Sequence, residues 1–147
     1  MDVVKLNQLG AYTSVFILSI INLIFIFRLQ NQEVTEYWLG IVFMVSAVPL
    51  LYLIYTGVQL NRPTLYFIQL GIMIGFIILE LLLDYIFKFD FRHTNWMVIS
   101  YVTLFFAATG GLIGLASQAG KSWTIISIIL FFIMTGLAFY QRAKTGM

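Results

Sequence analysis

Cysteine is absent from this chain, and histidine occurs once, at His93. The first absence excludes disulfides, thiolate nucleophiles and cysteine-based metal centres. The second leaves a single imidazole in a polar connection, a poor metal site without clustered carboxylates. No metal and no cofactor are therefore expected. Charge is scarce too: 10% of the residues are ionic, where a soluble domain carries roughly a quarter. The net charge of +2 includes no run of lysine or arginine, so nucleic acid is not an expected partner. Proline appears only at Pro49 and Pro63. Gly120-Lys-Ser122 resembles the end of a phosphate-binding loop, but Leu115 stands where that loop needs glycine.

What fills the chain instead is apolar: 61% of the residues are hydrophobic and 17% aromatic. Polar residues cluster at intervals of roughly 25–30 positions and leave apolar runs of about 20 between them, the length that crosses a bilayer core. This pattern predicts an all-α, polytopic integral membrane protein, a bundle of five transmembrane helices. Residues 1–147 form one transmembrane domain in contact with membrane lipids. The expected spans are 9–27, 37–60, 64–87, 96–116 and 123–140. Arg28-Leu-Gln-Asn-Gln-Glu33 follows the first run in place of a small-residue cleavage site, so a signal peptide is not expected.

The connections support these spans. Asn61-Arg-Pro-Thr64 reads as a tight turn, with Pro63 suited to the start of the next helix. Trp38, Trp96 and Trp123 all fall at span starts, where indole rings sit at the headgroup level. Five spans put the termini on opposite sides. Lys5, Arg62 and Lys121 lie with the N-terminus, and Arg28, Lys88, Arg92, Arg142 and Lys144 lie opposite. The basic excess predicts an exterior N-terminus and a cytoplasmic C-terminus.

Packing signals come next. Lipid tails are as apolar as leucine, so membrane helices associate through small residues and interhelical hydrogen bonds. Gly71/Gly75 in the third span and Gly110/Gly114 in the fourth are such pairs. They serve packing within the chain or a homo-oligomer face. In the third span Tyr66, Gln69, Met73, Phe76, Glu80 and Asp84 share one arc, and Gly71 lies opposite Glu80. Protein on both faces would make the third helix the centre of the bundle. Pro49 should bend the second span.

Chemistry concentrates on Glu80 and Asp84, inside the apolar run Ile77–Phe87. An acid at such a depth needs a partner, water or a proton. Asp84 has Lys88 four residues on, the favourable order for a helical pair. Glu80 has no base within helical reach. Counted from the span centre it lies roughly 7 Å from the midplane, and Asp84 roughly 13 Å. Asn22, Ser46, Tyr101 and Thr135 fall in the same half of their own spans. Their convergence would build a polar pocket around Glu80. In the opposite half, Tyr12, Tyr52, Tyr55, Gln59, Tyr66 and Gln69 form a second polar set, with Gln69 the further ligand candidate.

Three readings fit. One is a small membrane protein that binds or transports a small ligand, cation or proton through Glu80. Another is a structural or accessory subunit whose polar groups serve packing. The third is a lipid-modifying enzyme with Glu80 and Asp84 as acid and base. No nucleophile with an adjacent base accompanies them, which restricts the third reading to proton transfer or isomerisation.

Overall fold

Among the described residues, five helices are long and apolar enough to cross a membrane. The computed structural model describes residues 3–86 and 95–145, the side chains of 84–86, 95 and 145 excepted, and contains no strand among them. Helix α1 runs Val3–Leu29, longer at both ends than the apolar run alone. The second span is two helices, α2 (Glu33–Val45) and α3 (Ala47–Gln59). The third is α4 (Thr64–Glu80), which continues as a π-helical segment over Leu81–Ile86. Helices α5 (Asn95–Ser117) and α6 (Lys121–Thr145) complete the bundle.

The ends of these helices follow from their residues. Asn31 and Asn61 adopt left-handed backbone, with φ of 58° and 53°, a conformation asparagine tolerates better than most residues. Each sits just past a helix and closes the same motif. Gln32 N–H donates to Phe27 C=O at 3.0 Å and Asn31 N–H to Arg28 C=O at 3.1 Å. Arg62 N–H donates to Gly57 C=O at 3.0 Å and Asn61 N–H to Val58 C=O at 3.3 Å. These paired bonds satisfy the last carbonyls of α1 and α3. On the N-terminal side the α3–α4 turn is clasped to the α5–α6 turn, where Arg62 Nη2 donates to Gln118 Oε1 at 2.7 Å.

Pro49 acts upstream of itself. It offers no N–H to the carbonyl four residues earlier, and its ring crowds that turn. The helix accordingly breaks at Ser46. Ser46 N–H is shared between Val42 and Phe43 carbonyls, and its hydroxyl also donates to Phe43 C=O.

The first helix, not the third, holds the central position. Helix α1 packs against α2, α3, α5 and α6, whereas α4 packs mainly against α3 and α5. Half of the apolar window of α1 is buried, against 28% for the third span. The polar arc of α4 does face protein: Tyr66, Met73 and Phe76 are buried on it. Its reverse face does not. Gly71 and Gly75 are exposed, and a Cβ at either would meet nothing within 4 Å. The glycine pair suggests a packed face, but within one chain that face is open. Gly114 does lie under a neighbour, the Gln69 side chain, whereas Gly110 opens onto space.

Aromatic rings bind the half of the bundle nearest the C-terminus. Phe76 stands 6.2 Å from Phe43, 5.4 Å from Tyr101 and 5.4 Å from Phe105 between ring centroids. Phe25 meets Phe105 edge-on at 6.1 Å. These rings join α1, α2, α4 and α5.

Candidate ligand cavity

A cavity of about 310 Å³ opens above these rings, between α1, α2, α4 and α5. That volume falls at the lower end of small-molecule sites. Its apolar lining includes Ile21, Ile24, Met44 and the rings of Phe25, Phe43 and Phe105. Gly40, one turn beyond Glu36, is buried and lends its missing side chain to the open volume. The charged lining is Arg28, Glu33, Glu36 and Glu80. Tyr37 and Tyr101 add phenol groups.

Local structure explains why charge collects here. Arg28 is in the last turn of α1, and Glu33 and Glu36 are in the first turn of α2. Each charge complements the partial charge of the helix end that carries it. The left-handed turn at Asn31 folds the two ends together, and Arg28 Nε donates to Glu36 Oε1 at 2.5 Å. Both side chains are about a quarter exposed, 27% and 25%, so the pair sits at the edge of the apolar interior. The Arg28 guanidinium also lies over the Phe25 ring at 5.7 Å. Glu80 enters from the other wall. It is the last residue of α4 before the π-helical segment, a widened turn of a kind often found at functional sites.

The structure joins some of the expected site residues and separates others. Glu80 and Tyr101 line the same cavity. Asn22, Ser46 and Thr135 do not line it, and each bonds to a main-chain carbonyl. Asn22 Nδ2 donates across to Leu130 C=O on α6 at 3.2 Å. The Ser46 hydroxyl serves the helix break, and Thr135 Oγ1 donates to Phe131 C=O of its own helix at 2.9 Å. Gln69 lies against Gly111 and Gly114, far along α4 from Glu80. The side chain of Asp84, and Lys88 and His93 with it, lie outside the described residues.

The second polar set disperses. Tyr12 is exposed and meets Trp123 edge-on at 4.9 Å, while Tyr52 and Tyr55 are also exposed. Tyr66 is buried, and its hydroxyl donates to Leu53 C=O at 3.1 Å.

Glu33, Glu36, Tyr37 and Gly40 were missed as site residues. The signal for them was present: acids at 33 and 36 mark a helical first turn, which starts the second span earlier than its hydrophobicity does.

Asn22 is a packing residue with a measurable effect. Asn22→Ala is expected to lower stability by about 1 kcal/mol, as for interhelical hydrogen bonds in membranes. Dodecyl-sulfate titration in mixed micelles checks it.

Protein-family models, curated proteins and solved structures all give no match to this chain.

Proposed function

We propose that this protein is a small membrane-embedded binding protein, and that the cavity takes a cation or a small ligand bearing one. A single observation carries the reading. The described lining holds three carboxylates against one guanidinium, inside walls of aromatic rings. Arg28 is engaged by Glu36, and acids still outnumber bases among the described lining residues. Carboxylates supply the attraction, and ring faces add to it in a site of reduced dielectric. Transport of the bound species is the further step this reading includes. The basic excess of the connections at this end supports a cavity that faces the cytoplasm.

The competing reading is a structural subunit. It is favoured by Asn22, Ser46 and Thr135, whose side-chain donors all serve main-chain carbonyls.

Glu80→Gln separates the two. Binding of benzyltrimethylammonium to the purified protein is compared with binding of its neutral carbon isostere, neopentylbenzene. The cation is expected to bind at least tenfold more tightly to the native chain, and E80Q should remove most of that preference with an unchanged melting temperature. Equal binding of the two probes, or an E80Q variant that keeps the preference, would falsify the reading. A lowered melting temperature with no binding in either protein supports the structural subunit.

A further inference from the structure

A second cavity lies on the other side of Arg28. It is a groove of about 140 Å³ between α1, α5 and α6, and it shares Phe25, Arg28, Tyr101 and Phe105 with the first. Its chemistry is reversed. Among the described residues that line it there is no carboxylate, and Arg142 joins Arg28. Both arginines line it because α1 and α6 pack together and each carries its arginine in its last turn. The remaining walls are mainly apolar, with Val102 and Phe106 on α5 and Ala138 and Phe139 on α6, and with the buried Gln141 among them.

We propose that this groove seats the phosphate headgroup of an anionic membrane phospholipid between Arg28 and Arg142. Depth supports a lipid. Tyr37, Trp38, Trp96 and Tyr140 are exposed at the same end of the bundle, and such rings gather at the headgroup level. Charge supports an anion. A guanidinium offers five N–H donors in a planar fork suited to phosphate; among the described residues Arg28 gives Nε to Glu36. Shape supports a lipid over a free ion. The pocket admits a phosphate but not a whole phospholipid, and Val102 and Phe139 continue from it as an exposed apolar strip, 39% and 62% accessible. An acyl chain covers that strip while the headgroup stays with the arginines. Basic pockets between membrane helices are established headgroup sites in general. This groove adjoins the cation cavity across shared residues, but the proposal does not depend on that reading.

Native mass spectrometry of the detergent-solubilised protein tests it, with chain-matched phosphatidylglycerol and phosphatidylcholine as probes. Phosphatidylglycerol is expected to be retained at roughly tenfold lower concentration. Arg142→Gln should bring it to the phosphatidylcholine level. Lys144→Gln removes a charge at the same helix end without touching the groove and should leave the preference intact. Ala138→Phe, which fills the groove at constant charge, should abolish it and serves if Arg142→Gln fails to fold. Two outcomes overturn the proposal. Equal losses in Arg142→Gln and Lys144→Gln would mean diffuse attraction to anionic lipid. Displacement of the lipid by inorganic phosphate at matched concentration would mean an anion site with no role for the acyl chain.

Discussion

Phe76→Ala is expected to lower the stability of the folded bundle by about 2–3 kcal/mol. The ring is 1% exposed and contacts aromatic partners on α2 and α5. In a soluble core the loss would include a transfer term, because the unfolded chain meets water. Here the separated helices remain in lipid, so the hydrophobic drive is largely absent and lost contact dominates. Removal of roughly 100 Å³ of side chain at ~24 cal/mol per Å³ of cavity gives this magnitude. Phe76 also walls the candidate cavity, so the variant should enlarge it and weaken the proposed cation binding through loss of a ring face. Dodecyl-sulfate unfolding measures the first effect and probe titration the second. A stability change below 1 kcal/mol would show that the neighbouring rings collapse into the space.

Gly57→Ala is expected to destabilise by about 1–3 kcal/mol through overpacking. A Cβ at this position would stand 2.6 Å from Cε1 of Tyr66 and 3.2 Å from Cε1 of Phe67. The Tyr66 ring has little room to yield. It is 2% exposed, its hydroxyl is held by Leu53, and the Arg62 guanidinium lies over it at 5.3 Å. The crossing of α3 and α4 must therefore open. Gly75→Ala is the control, because its added methyl meets open space and alanine favours the helix by roughly 0.8–1 kcal/mol over glycine. Thermal unfolding in one detergent compares the two, and a Gly57→Ala protein as stable as the native chain would refute the close crossing.

The number of spans and their approximate limits were legible because hydrocarbon thickness fixes the length of an apolar run. Pro49 announced a break, and the missing N–H explains why it appears at Ser46. The centre of the bundle was less legible. Glycines at 71 and 75 suggest close approach on any helix, but spacing does not say whether the neighbour belongs to the same chain. The site was legible in part. Glu80 stood out as an acid in an apolar run, and depth placed Tyr101 beside it. Depth also nominated Asn22, Ser46 and Thr135, yet rotation about each helix axis decides which way a group turns. A hydroxyl in a helix can also satisfy itself on its own preceding carbonyl, as at Thr135. Glu33 and Glu36 read as connection charges until the turn at Asn31 folded them over Arg28.

The odd number of spans has an electrical consequence. Peptide dipoles in an even bundle of alternating helices cancel, whereas in five one helix is left over. At the cavity end α1, the third span and α6 arrive by their C-terminal ends, and α2 and α5 depart by their N-terminal ends. One helix end in excess leaves the equivalent of roughly half a negative elementary charge on that face. The backbone itself thus biases this end of the molecule toward cations, independently of any side chain. A substitution that neutralised every acid in the cavity would leave that polarity in place.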